Sequence, residues 1–183
     1  MSNEASFAKT NKVQLLLSAT LVVVLIALRV ERDALQIALV ILGSFFGTYL
    51  LKLDYLIHAY FVEPDSDFSK TLLAFLKHFD LIGALKYAYY NGDSVKEKTL
   101  NSVQFQVILI PLTVFVLSST TSVFFKALVL STLLNSLYLL VEHFFNNDLN
   151  EWFWALKNKP NKRTFYIYSG MLVLVFLFCL SMF

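Results

Sequence analysis

The sequence predicts an all-α polytopic membrane protein of five transmembrane helices, on three observations: its composition, its charge-free apolar runs and the uneven placement of its lysines. Hydrophobic residues make up 57% of the 183-residue chain and charged residues 15%, against about 25% charged in an ordinary soluble domain. A water-soluble fold of this length has too little interior to hide so much apolar surface. Eighteen Phe and nine Tyr suit lipid-facing and headgroup-level positions. The formal net charge of +2 is too small for a nucleic-acid footprint, so no nucleic-acid partner is expected. The single cysteine, Cys179, excludes an intrachain disulfide and reads as an apolar filler of the last helix.

Residues 1–183 read as one membrane domain: a first repeat at about 12–91, a second at about 102–158 and an added helix at 164–183. The first span is the charge-free run 13–28 between Lys12 and Arg29. Crossing a bilayer takes roughly 17–25 residues, so slight thinning accommodates it. A signal peptide is disfavoured, because no small-residue cleavage site follows Ala27-Leu28-Arg29-Val30. Arg29, Glu31, Arg32 and Asp33 belong at a water boundary, and the second span, 34–51, returns from there. Its Gly43 and Gly47, with Ser44 and Thr48 beside them, have the spacing that lets two helix backbones approach closely. At this level the partner helix belongs either to the same chain or to a neighbouring copy.

The second helix is expected to continue about three turns past Leu51, through Lys52, Asp54, His58 and Tyr60, until Pro64 stops it for want of an amide donor. Asp65 or Ser66 then caps a new helix. Phe68, Leu72, Phe75, Leu76, Phe79, Ile82 and Tyr89 recur at helical spacing, with Lys70, Lys77 and Lys86 largely off that stripe. This pattern predicts a helix in the interface plane, apolar side down and lysines toward headgroups, ending at Asn91-Gly92-Asp93. The third span, 103–117, contains Pro111 and is expected to kink there. The fourth, 123–141, has Lys126 close enough to its end to snorkel and Asn135 near its centre, where an amide must face protein rather than lipid. Asn146-Asn147-Asp148 signals a helix start, and a short aromatic helix, 152–156, a basic loop, 157–163, and the fifth span, 165–183, follow.

Lysine and arginine counts set the orientation. Lys9 and Lys12, then Lys52, Lys70, Lys77, Lys86, Lys96 and Lys98, then Lys157, Lys159, Lys162 and Arg163 fall on one face, twelve in all; Arg29, Arg32 and Lys126 fall on the other. The positive-inside rule therefore places the amino terminus in the cytoplasm and the carboxyl terminus outside, in the inner membrane for a bacterial chain. Tyr87, Tyr89, Tyr90, Trp152, Trp154, Tyr166 and Tyr168 cluster near the cytoplasmic boundary as an aromatic belt. Anionic headgroups are the expected lipid partners of these basic segments.

Shifting the sequence by 89 residues lays Ala38-Leu39-Val40 on Ala127-Leu128-Val129 and Tyr49-Leu50-Leu51 on Tyr138-Leu139-Leu140, six identities in fourteen positions. Gly43 and Gly47 then fall on Thr132 and Ser136, which makes these four the expected helix-packing set of a parallel repeat. Asp54, His58, Glu142 and His143 gather where the two repeats leave the membrane, a donor set for a divalent metal if both exits converge. Polar residues at helix exits are also what water demands, and the adjacent Glu142 and His143 point about 100° apart on a helix. No phosphate-binding glycine loop, nucleophile elbow or paired CxxC motif is present.

The leading functional reading is a non-enzymatic membrane component without a cofactor, an oligomeric or partner-docking platform built on cytoplasmic amphipathic helices. The partner is a second copy or another membrane or cytosolic protein. The first alternative is a small channel or transporter whose polar path uses Gln104, Gln106, Pro111, Asn135 and Ser136. The second is a membrane-boundary metal-dependent enzyme using Asp54, His58, Glu142 and His143.

Overall fold

The computed structural model describes residues 2–29, 33–92, 95, 98–146, 149–154, 156 and 161–183, and every regular element among them is helical. These elements are α1 (Ser2–Arg29), α2 (Ala34–Leu50), α3 (Asp54–Ile57), α4 (Asp67–Lys77), α5 (Leu81–Asn91), α6 (Val103–Ser118), α7 (Val123–Phe145), α8 (Leu149–Trp152) and α9 (Lys162–Ser181). Glu31 and Arg32 of the expected charged turn, Asp93, Lys96, Asn147, Asp148, Lys157 and Lys159 lie outside the described residues. Among the described residues four helical stretches are long and apolar enough to cross a membrane: Lys12–Arg29, Ala34–Val62, Val123–Phe145 and Lys162–Ser181. The sequence predicts five; α6 is apolar but, at 16 residues, shorter than these.

Polar caps mark where the apolar helices begin. The Asp33 carboxylate accepts from the Leu35 amide, Ser102 Oγ from Phe105, Ser122 Oγ from Phe124 and Asn161 Oδ1 from Thr164. Each satisfies an amide that the first helical turn leaves without a partner, which matters most where the surroundings are apolar.

The bundle is organised by α7, which touches α1, α2, α6, α8 and α9. Its most extensive contact is with α2. Gly43 lies against Phe124 and Ala127, and Gly47 against Leu128, Ser131 and Thr132, so the contacts advance in the same direction along both helices and the two run parallel. A Cβ on Gly43 would strike the carbonyl oxygen of Phe124, and one on Gly47 that of Leu128. Backbone cannot step aside as a flexible side chain can, so both positions require glycine. The glycine face is thus filled from within the chain. Thr132 lies on this face, its Oγ1 donating to the Gly47 carbonyl at 3.3 Å. Ser136 does not contribute a side-chain hydrogen bond to it; instead its carbonyl accepts from Gln106 on α6.

α1 packs antiparallel to α2, and α6 antiparallel to α7. The end of α9 that follows Asn161 meets the end of α7, where the Phe165 and Phe144 rings stack 4.1 Å apart. At the other end of the bundle the Arg29 guanidinium sits 5.7 Å from the Phe183 ring centre. Lys126 Nζ, at the start of α7, reaches the Leu117 carbonyl of α6 at 2.9 Å. Leu21, Leu25, Val40, Leu109, Leu130 and Cys179 are buried together between these helices.

Beyond Leu50 the second helix continues as expected, though not regularly. A tight turn, Leu51–Leu53, leads into α3 and then a widened π turn, His58–Val62, closed by the Glu63 amide donating to the His58 carbonyl at 3.0 Å. Glu63 is no longer helical, as the residue before Pro64 must be, and Ser66, rather than Asp65, caps α4 by accepting from Ser69.

The single helix expected over 68–89 is instead a hairpin of α4 and α5. The Phe79 amide donates to Leu76 and the Asp80 amide to Phe75, which closes α4, and the Asp80 carboxylate then accepts from the Gly83 amide at 2.8 Å to start α5. Folding back lets the apolar stripe bury itself. Phe68, Leu72, Ala84 and Ala88 pack with Ala59 from the end of the second helix, and Phe68 stacks on Tyr87. The short aromatic helix also sits earlier than the 152–156 the sequence suggests: α8 ends at Trp152, which is fully buried.

The glycine contacts make a paired expectation for unfolding measured in detergent. Gly47→Ala should destabilise the chain by about 1–3 kcal/mol, the usual cost of overpacking. Gly170→Ala should be neutral or stabilising by up to about 1 kcal/mol, because Gly170 has nothing within 4 Å of an added Cβ.

Candidate functional site

Polar side chains inside the bundle form two separate sets, on different sides of α7. The first joins α1, α2 and α7. Ser18 Oγ lies 2.5 Å from Thr48 Oγ1 and 3.3 Å from Ser131 Oγ, and Asn135 Nδ2 donates to Ser18 Oγ at 3.0 Å and to the Ser131 carbonyl at 2.8 Å. Ser131 Oγ donates to the Ser44 carbonyl at 2.7 Å, which bonds α7 directly to the α2 backbone beside the glycines. Asn135 thus faces protein, as its place in an apolar helix requires. Ser18 and Ser131 were not singled out by sequence. Their signal is a spacing of four, Gln14 with Ser18 and Ser131 with Asn135, which places each pair on one helix face.

The second set converges on Gln106. Its Nε2 donates to the Ser136 carbonyl at 3.2 Å, and its Oε1 accepts from Tyr168 at 2.7 Å and from Trp152 Nε1 at 3.3 Å. One amide therefore ties α6 to α7, α8 and α9. Trp152 and Tyr168 spend their polar atoms inside the protein rather than on headgroups. Of the residues proposed for a polar path, Gln106, Asn135 and Ser136 are buried, but Gln106 and Asn135 belong to different hydrogen-bonded sets, and Gln104 and Pro111 lie exposed on α6.

Where the second helix leaves the bundle, Asp54 is buried and acts as a clip. Its Oδ1 accepts from the Thr99 amide at 2.8 Å and the Leu100 amide at 3.0 Å, and its Oδ2 from the Asn101 amide at 3.0 Å. Asn101 Nδ2 reaches back to the Leu51 carbonyl at 3.4 Å. Ser102, the next residue, caps α6, so one carboxylate at the end of the second helix fixes where the third apolar helix begins. Four residues further on, His58 Nε2 lies 3.8 Å from the Glu63 carboxylate and its ring meets Phe68 edge-on.

His143 is placed differently. Its Nδ1 lies 2.9 Å from the Leu139 carbonyl oxygen, and its ring meets Trp152 edge-on at 5.1 Å. Asp54 and His58 thus serve the joint between the second helix, the hairpin and α6, whereas His143 serves the joint between α7 and α8. Among the described residues no group of three or more His, Cys, Asp or Glu side chains converges as metal ligands would. Of the four candidate ligands, Asp54 and His58 thus lie at one joint and His143 at another.

What remains at this end of the bundle is surface. Lys70, Lys77 and Lys86 are exposed on the hairpin together with Tyr90, while Phe68, Leu72, Ala84 and Ala88 are turned inward. No family model matches the chain, and no curated protein or solved structure matches it either.

Removing the clip should be measurable in detergent. Asp54→Ala is expected to cost on the order of 3 kcal/mol, since hydrogen bonds to a charged acceptor are the stronger kind. Hydrogen exchange should accelerate at the amides of Thr99, Leu100 and Asn101. Asp54→Asn, which keeps one acceptor oxygen, should lose less on both measures.

Proposed function

We propose that this chain is a non-enzymatic integral membrane component whose α4–α5 hairpin is a docking platform on the cytoplasmic face, for a second copy or for another membrane or cytosolic protein. The observation that carries the reading is the hairpin's construction. It has its own apolar core, is packed against the last turns of the Ala34–Val62 helix and still directs Lys70, Lys86 and Tyr90 outward. A rigid, polar-faced unit mounted on a membrane bundle suits recognition of a partner. The glycine face of α2 is filled by α7, so association between chains falls to the hairpin.

In this reading α6 is the fifth crossing. Its 16 residues extend about 24 Å at 1.5 Å per residue, close enough to a hydrocarbon core of roughly 30 Å for local thinning to meet it. Exposed Val107, Ile108 and Phe115 would then face lipid. The parallel course of α2 and α7 supports a tandem repeat about the membrane normal. The lysine imbalance puts the hairpin and the amino terminus in the cytoplasm and Phe183 outside, with Phe145, Trp154 and Tyr166 as interfacial aromatics.

A photoreactive amino acid at Lys70, Lys86 or Tyr90, activated in native membranes, tests the platform. The reading expects a discrete adduct, either at twice the 21.0 kDa of one chain or at the added mass of one partner. Adducts to lipid alone from all three positions would contradict it.

A further inference from the structure

Phe79 departs from what the fold alone asks for in two independent ways. Its backbone has φ 56°, at the residue that closes α4, where glycine is the usual choice and residues with a Cβ are rare. Its ring is 90% exposed and so contributes almost nothing to the hairpin core. A residue held in a costly conformation with its apolar side chain unburied points to a contact outside the chain.

The seat of the hairpin on the second helix points to what that contact is. The helical run Ala34–Val62 has 29 residues, about 43 Å at 1.5 Å per residue, against a hydrocarbon core of about 30 Å. Its last turns therefore stand among the headgroups. Both ends of the hairpin are seated beside those turns: Phe68 lies 6.2 Å from Tyr55 and 6.3 Å from His58, ring to ring, and Gly92 abuts Tyr55. Around the turn, Lys77 is exposed two residues before Phe79, and the carboxylate of Asp80 is engaged with the Gly83 amide. Phe61, also on the exit of the second helix, is 82% exposed.

We propose that Phe79 is a lipid-inserting wedge: its ring enters the boundary between headgroups and acyl chains, with Lys77 against anionic phosphate, and holds the hairpin down on the membrane surface. This rests on Ala34–Val62 crossing the bilayer and not on the docking reading, which concerns Lys70, Lys86 and Tyr90.

The test uses the full chain in nanodiscs of phosphatidylcholine with phosphatidylglycerol. Nitroxide labels are placed singly at Phe79→Cys or Ala74→Cys in a Cys179→Ala background. Power saturation should show the label at position 79 several-fold more accessible to oxygen, relative to a water-soluble nickel chelate, than the label at position 74. Equal nickel access at both positions in lipid alone overturns the proposal, even if an added protein later shields position 79. Phe79→Gly guards against a structural explanation. With the strained conformation relieved, it should melt in detergent no lower than the unmodified chain, and a clear fall in melting temperature would make Phe79 a folding residue and overturn the wedge.

Discussion

The close approach of α2 and α7 sets the rest of the molecule. Within lipid there is no gain from burying one apolar helix against another, so association has to come from dispersion at short range and from hydrogen bonds that water does not contest. Gly43 and Gly47 bring the backbones near enough for both. The Phe124 and Leu128 carbonyls occupy the space a side chain would have filled, and Ser131 reaches the Ser44 carbonyl across the seam. Once these two helices are joined in parallel, each needs an antiparallel companion, and α1 and α6 supply them. Asn135 then draws in α1 through Ser18, and the Ser136 carbonyl draws in α6 through Gln106.

At the exit of the second helix the physics changes from packing to satisfaction of backbone. A chain leaving a bundle exposes amides that lipid cannot serve and that water reaches poorly. Asp54 answers for three of them at once in the segment leading to α6. The widened turn at His58–Val62 and Pro64 then end the helix, and the hairpin that follows covers the exit with its own apolar stripe. The result couples three things that are distant in sequence: the end of one crossing, the start of the next apolar helix and the seating of the hairpin. A partner that moved the hairpin would therefore act directly on the joint from which α6 begins.

Much of this was legible in the residues themselves. Charge-free runs located the long helices, Pro64 located the end of the second, Gly43 and Gly47 announced a packing face and Asn135 announced its own burial. What could not be read depends on pairings that sequence does not encode locally. Asp54 looks like any acid at a helix exit, because its partners are backbone amides some 45 residues later, whose types are irrelevant. Trp152 and Tyr168 look like interfacial aromatics until Gln106 is found between them. The repeat alignment set Thr132 and Ser136 over the two glycines, four residues apart and so only about 40° apart around the helix, yet Thr132 serves α2 through its hydroxyl whereas Ser136 serves α6 through its backbone carbonyl, a division the residue types do not announce. The break at Phe79 was hidden because the position carries phenylalanine where a glycine would have signalled it.

The central claim is that the glycine face of α2 is met by α7 of the same chain. Thr48 Oγ1 and Ser131 Oγ lie 3.4 Å apart across that seam, which makes Thr48→Cys with Ser131→Cys, in a Cys179→Ala background, the most direct probe. Mild oxidation in membranes should give an intramolecular disulfide, seen as complete loss of free thiol while the chain still migrates as a monomer in non-reducing gels. Disulfide-linked dimers, or two thiols that stay free under oxidation, would contradict the account.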